Sequence, residues 1–87
     1  MKLAPVLDLS AAKPLWADIL AARGQPLELD ASEVQRLGGL CLQALLAARK
    51  QWREDGVDFS IANASDAFRE GARLMAAHDL VQGESTQ

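Results

Sequence analysis

Three acidic residues lie close together in the sequence and could in principle carry chemistry: Glu54, Asp55 and Asp58. Paired carboxylates perform general acid–base catalysis when their surroundings separate their pKa values. Here the acids flank Gly56 in a turn, without an apolar setting that would separate those values. We interpret the cluster as a solvated turn, and we expect neither a catalytic residue nor an enzymatic activity.

Cys41 and His78 are the only cysteine and the only histidine of the chain. Cys41 is either a small core residue or, if exposed at a helix start, a thiol of lowered pKa, and we interpret it as core. His78 has no partner at the spacing of metal ligands, so we expect no metal and no other cofactor. A single cysteine leaves no disulfide partner, which is typical of a reducing cytoplasm.

The glycine pair Gly38-Gly39 stands directly before a helical pattern. A helix that starts there presents unpaired N–H groups and a partial positive charge, where many folds bind a phosphate or an acidic partner. The alternative is that the glycines only allow strand and helix to pack closely. Two glycines fall short of a phosphate-binding fingerprint, and Arg36 is the one cation close by.

Hydrophobic periodicity predicts strands alternating with helices. The predicted strands cover residues 3–7, 27–30 and 57–61, and the predicted helices cover about 11–23, 39–55 and 65–77. This order favours an α/β fold with a partly parallel sheet, completed by one more short strand near a terminus. We expect a single domain over residues 1–81, anchored at its end by Leu80 and Val81, and a polar tail over residues 82–87.

Each predicted helix has one apolar face. The expected buried residues are Ala12, Leu15, Trp16 and Ile19 in the first helix, Cys41, Leu42, Leu45, Ala48 and Trp52 in the second, and Phe68, Ala72 and Met75 in the third. Ser10 is expected to cap the first helix, with Pro14 in its first turn, and Ser65 is expected to cap the third. Leu40 lies off the buried stripe of its helix.

The charge pattern excludes some partners. The formal charge is −3 and the charged residues are dispersed, without the basic stripe that nucleic-acid binding needs. The first nine residues contain Asp8 and no uninterrupted apolar run, so they predict neither a signal peptide nor a membrane span. We therefore expect a cytoplasmic protein with no nucleic-acid partner and no direct membrane insertion.

The segment Asp30-Ala31-Ser32-Glu33-Val34-Gln35-Arg36-Leu37 resembles the loop of the STAS family, the domain of anti-sigma factor antagonists and sulfate-transporter tails. That loop typically reads Asp-Leu-Ser-Gly-Val, then Asp-Ser-Ser-Gly-Leu and a helix rich in leucine and alanine. Leu42 and Ala44-Leu45-Leu46-Ala47-Ala48 match the helix, and the segment from Phe59 to Ser65 resembles the return strand and its turn. The resemblance implies a small STAS-like α/β domain, with helices packed against a mixed, partly parallel sheet.

The sequence departs from the family pattern at Leu40, which occupies the position of the regulatory phosphoacceptor serine. A leucine has no hydroxyl, so the usual switch, which adds about two negative charges, is absent at this position. We expect Leu40 to contact a partner together with Ser32, Arg36, Gly38 and Gly39, although a core position for Leu40 is the alternative. Ser32 could be a substitute phosphoacceptor, but we interpret it as a loop or cap serine.

The resemblance implies a non-enzymatic protein–protein interaction module in bacterial signal transduction. Our first hypothesis is an adaptor without a phosphorylation switch that binds a histidine kinase or a kinase-like ATPase domain, in chemotaxis or a related two-component system. The alternatives are an anti-sigma factor antagonist, a cytoplasmic STAS subunit of a lipid-transport complex, and a module that binds a nucleotide or an anion at the glycine pair.

Overall fold

The computed structural model describes residues 1–75 of the 87-residue chain, and this part is built from four short strands and three helices. The strands are β1 (Val6–Leu7), β2 (Leu27–Asp30), β3 (Arg36–Leu37) and β4 (Phe59–Ala62). The helices are α1 (Leu9–Ala21), α2 (Gly39–Asp55) and α3 (Asp66–Leu74). The predicted α/β class is confirmed.

The strands pair in two parallel ladders. β1 lies beside β3, and β2 lies beside β4 in a register that runs from Leu27 opposite Phe59 to Asp30 opposite Ala62. An isolated parallel bridge between Lys2 and Asp30 connects the amino-terminal segment to β2. All pairings within residues 1–75 are parallel, where the sequence predicted a mixed sheet.

The helices begin and end where the local chemistry allows. The Ser65 hydroxyl caps α3 by accepting a hydrogen bond from the Phe68 N–H, as predicted. α2 ends at Gly56, whose φ of 71° is the left-handed conformation that glycine adopts without strain. α1 and α2 pack against each other, and α3 packs against β3.

One apolar core lies between these elements, and the predicted stripe of α2 is confirmed in full. The core residues are Leu3, Leu7, Leu15, Ile19, Leu27, Leu29, Ala31, Val34, Leu37, Cys41, Leu42, Leu45, Ala48, Trp52, Ile61, Phe68 and Ala72. The Trp52 indole N–H donates to the Gln25 carbonyl at 2.7 Å, which satisfies the one polar group of this large side chain. Ala12 and Trp16 of α1 are only partly buried at the edge of the core.

The additional strand lies between β2 and α2, not near a terminus. β3 has two residues, too few for the alternation of polar and apolar side chains to reveal it. The N–H groups of Gln35 and Gly38 donate to the carbonyls of Pro5 and Leu7, at 2.7 and 2.8 Å. The connection from β2 to α2 is therefore paired to the amino-terminal segment over part of its length.

α1 begins earlier than predicted. Asp8, not Ser10, is its N-cap, and the Asp8 carboxylate accepts hydrogen bonds from the Ala11 N–H and the Ser10 hydroxyl. A carboxylate is a strong cap because it also interacts favourably with the positive end of the helix dipole. Pro14 consequently lies inside the helix instead of in its first turn.

Two further predictions need correction. Met75 is 41% exposed instead of core, because α3 ends at Leu74 and Met75 is its C-cap. Val57 lies outside β4, since its N–H donates to the Trp52 carbonyl at the end of α2. His78, Leu80, Val81 and the tail of residues 82–87 lie outside the described residues. No helix within residues 1–75 is long and apolar enough to cross a membrane.

Candidate docking site

The start of α2 is held against the end of β1 by Gly38. This residue is the N-cap of α2 but provides no side-chain cap. A Cβ atom on Gly38 would lie 3.0 Å from the Leu7 carbonyl oxygen and 3.7 Å from the Asp8 Cα. The first distance is tighter than ordinary van der Waals contact, so the close approach of helix and strand requires glycine here. This favours the packing interpretation of the glycine pair.

Gly39 differs from its neighbour. The nearest atom to a Cβ built on Gly39 is the Met75 sulfur, at 4.0 Å, which is an ordinary contact distance. No crowding therefore requires glycine at this position. The Met75 side chain at the end of α3 nevertheless lies near the first turn of α2.

An acidic group lies near this helix start. The Cys41 thiol donates to the Asp8 carbonyl oxygen at 3.4 Å, and burial, followed by the charge of Asp8, raises the pKa of Cys41. A carboxylate close to the first turn opposes the attraction that the helix dipole would exert on an anion. These contacts give the nucleotide- or anion-binding alternative no support. They also favour Cys41 as a buried core residue over a reactive thiol, in agreement with its exposure of 0%.

Leu40 is 53% exposed, in the first turn of α2. Its side chain forms one wall of a shallow groove between α1 and α2 that encloses about 520 Å³. The groove is lined by Ala12, Lys13, Trp16, Leu40, Gln43, Ala44 and Ala47. The predicted position of Leu40 outside the core agrees with this exposure, and the structure adds a surface on α1 that the sequence analysis did not identify.

Ser32 and Arg36 lie on the segment that leads from β2 into α2, outside the groove lining. Ser32 is exposed in a turn, and its N–H donates to the Asp30 carboxylate at 2.9 Å, a bond that lowers the pKa of Asp30. Arg36 is exposed on β3. Of the five predicted contact residues, Gly38, Gly39 and Leu40 are thus consecutive at the helix start, while Ser32 and Arg36 precede it.

The sequence contains only a weak signal of the groove, and that signal does not show how the two helices lie together. Small residues at Ala12, Ala44 and Ala47 leave space between two packed helices, and the larger Trp16 and Leu40 side chains then stand above that floor. Trp16 was predicted as core because helical spacing places it beside Leu15 and Ile19. Its partial burial reflects a position at the boundary between core and groove.

One member of the acid cluster, Asp55, has a structural role. The Asp55 carboxylate accepts hydrogen bonds from Arg23 at 3.2 Å and from Gln51 at 3.0 Å, and the first of these is the main cause of its lowered pKa. A carboxyl group held ionised in this way connects the ends of α1 and α2 and is a poor proton donor. Within residues 1–75, no three His, Cys, Asp or Glu side chains are arranged to hold a metal ion.

Comparison with known proteins adds a family assignment. A family model described as "Mlab, STAS domain" matches residues 1–82. No curated protein and no solved structure gave a match.

Proposed function

The chain belongs to the STAS family, whose domain occurs in anti-sigma factor antagonists and sulfate-transporter tails, and on this premise we propose that it is a non-enzymatic cytoplasmic adaptor. The proposed partner is a histidine kinase or a kinase-like ATPase domain, in chemotaxis or a related two-component pathway. The adaptor docks through the start of α2 and the segment from Ser32 that leads into it. Its binding is not controlled by phosphorylation.

The observation that carries this proposal is the exposed Leu40 in the first turn of α2. An exposed leucine at a helix start gives a partner an apolar contact, and Gly39 beside it lets the partner approach the backbone closely. In the alignment with the STAS family pattern, Leu40 occupies the position of the phosphoacceptor serine. Because leucine cannot be phosphorylated, the contact is permanent, which disfavours the anti-sigma factor antagonist that a kinase switches off.

A second candidate is a cytoplasmic STAS subunit that braces the ATPase of a lipid-transport complex. The same feature supports it, since an apolar docking face without a switch suits a subunit that stays assembled. A pull-down from native cell extract, identified by mass spectrometry, separates the candidates. Recovery of a histidine kinase supports the adaptor, and recovery of a transporter ATPase supports the second candidate. Recovery of neither class, at a bait concentration that saturates micromolar complexes, refutes both.

Phosphorylation provides an independent test. We expect no phosphate on the protein after incubation with ATP and kinases that phosphorylate ordinary STAS antagonists, measured by intact mass. The variant Leu40→Ser is the matched control, because it restores a hydroxyl at the acceptor position. Stoichiometric phosphate on Ser32 in the wild-type protein would contradict the proposal and support the anti-sigma factor antagonist.

A further inference from the structure

The groove between α1 and α2 has features of a binding site for a third helix. We propose that it binds an acidic amphipathic helix of the protein partner, an inference that rests on the proposed adaptor function. Two packed helices with small residues between them leave a channel into which the side-chain ridge of another helix fits. Ala12, Ala44 and Ala47 provide that channel, and Trp16 and Leu40 are the large apolar contacts at its sides.

The charge of the groove defines the chemistry of its occupant. Lys13 is the one charged residue among the groove residues, and its ammonium group forms no ion pair with a carboxylate of residues 1–75. Lys50 and Glu54, both exposed, continue the outer face of α2 beyond Ala47 with opposite charges, so Lys13 sets the charge of the groove. The chain as a whole carries a net charge of −3, so a groove with lysine and without a carboxylate differs in charge from the rest of the molecule. It is complementary to an occupant with acidic side chains beside an apolar stripe.

The groove is continuous with the proposed docking face. Leu40 belongs to both, because it stands in the first turn of α2 and forms a wall of the groove. A partner that contacts the start of α2 can therefore place a helix along α1 and α2 without a separate binding event. Tryptophan is enriched among the interface residues that contribute a large share of the binding energy, and Trp16 lines the groove.

Site-specific photo-crosslinking in the native cell tests the occupant. The photoreactive amino acid benzoylphenylalanine replaces Gln43 or Ala47 in the groove, Ser32 in the loop before β3, or Ser60, an exposed control position on β4. Mass spectrometry then identifies the attached peptide. We expect the groove probes to attach to one segment of another protein with acidic residues and apolar residues at helical spacing.

The other outcomes overturn the inference in distinguishable ways. Attachment of the groove probes to residues 76–87 of the same chain, to a second copy, or to a segment without acidic helical character assigns the groove a different occupant. Attachment of an ATPase domain to the Ser32 probe alone leaves the adaptor function standing and refutes the groove. Failure of both the loop and the groove probes to attach any part of a histidine kinase or of a kinase-like ATPase refutes the proposed function itself.

A synthetic peptide of the attached segment provides the quantitative test. Its circular dichroism should gain helical signal when the domain is added, and Lys13→Glu should weaken its binding by about tenfold or more at low salt, with a smaller effect at high salt. Arg53→Glu is the matched control, because Arg53 is an exposed cation of α2 outside both the groove and the proposed docking segment. Equal binding by the two variants, each with a melting curve like that of wild type, contradicts the proposal.

Discussion

Leu45 and Leu40 allow the same substitution to be compared at a buried and an exposed site of one helix. Leu45 is 0% exposed and Leu40 is 53% exposed, and both belong to α2. Leu45→Ala removes a core side chain and leaves a cavity, which costs about 2–5 kcal/mol of unfolding free energy. Leu40→Ala removes a side chain that is half in water, so we expect a change within about 0.5 kcal/mol.

The expected loss of unfolding free energy in Leu45→Ala is large for so small a domain. At roughly 0.05–0.15 kcal/mol per residue, the whole chain has an unfolding free energy of about 4–13 kcal/mol. A loss of about 2–5 kcal/mol corresponds to a decrease in Tm of roughly 8–40 °C, because each kcal/mol shifts the Tm of such a domain by about 4–8 °C. The variant should therefore be partly unfolded at moderate temperature, whereas Leu40→Ala should melt like wild type.

Urea unfolding, followed by circular dichroism and by tryptophan fluorescence, measures both variants. Trp52 is a suitable reporter because it is buried and its indole N–H is bonded to Gln25. The midpoint should decrease for Leu45→Ala while the slope stays unchanged. Equal losses for the two variants, or a larger loss for Leu40→Ala, would show that the buried face of α2 is assigned wrongly.

Three further predictions concern the start of α1 and α2. Gly38→Ala should lower the unfolding free energy by about 1–3 kcal/mol in urea titrations, because the added Cβ would crowd the Leu7 carbonyl. Gly39→Ala is the control and should be neutral or stabilising. A larger loss for Gly39→Ala than for Gly38→Ala would contradict the packing interpretation. Cys41 should react with a thiol reagent such as Ellman's reagent only after urea unfolding, because it is buried and its pKa is raised; fast reaction in the native state would contradict this. The Ser10 hydroxyl and the Ala11 N–H lower the pKa of Asp8 below its ordinary value of 3.8. The stability that the ionised Asp8 carboxylate contributes is therefore fully present above pH 3.8 and is lost as the pH falls through the lowered pKa. When the unfolding free energy is measured against pH, Asp8→Asn should lose less stability in acid than wild type.

The parts of the fold that follow strong local rules were predictable from the sequence. α2 was predicted at its observed bounds because its apolar spacing is regular and Gly56 ends it. The cap at Ser65 followed from the same kind of local chemistry. β3 was not predictable, since two residues have no period and their pairing with β1 joins distant parts of the chain. Asp8 and Ser10 are both good caps, and only the pairing of Leu7 with β3 decides where β1 ends and α1 begins.

The candidate site was predictable only in part, for a related reason. Leu40 could be placed outside the core from the helical wheel of α2 alone. The groove depends on how α1 lies across α2, which is a property of tertiary packing. Trp16 and Lys13 could therefore be identified as groove residues only from the packing of the two helices. The sequence pattern of one helix identifies its buried and exposed faces. The groove between two helices can be identified only from the three-dimensional structure.

The two helices that form the groove are tied together at both ends. At one end, Gly38 and Cys41 of the α2 start are bonded to the backbone of Leu7 and Asp8, which precede α1. At the other end, Arg23 is paired with Asp55, and the Trp52 indole is bonded to the Gln25 carbonyl.

Such bracing fixes the distance between α1 and α2 before any partner arrives, so the domain presents a preformed template. If the groove binds the acidic helix proposed above, the entropic cost of ordering on association falls on the partner segment, which becomes helical. In the complex proposed above, the change of conformation on binding is therefore expected in the partner and not in this domain.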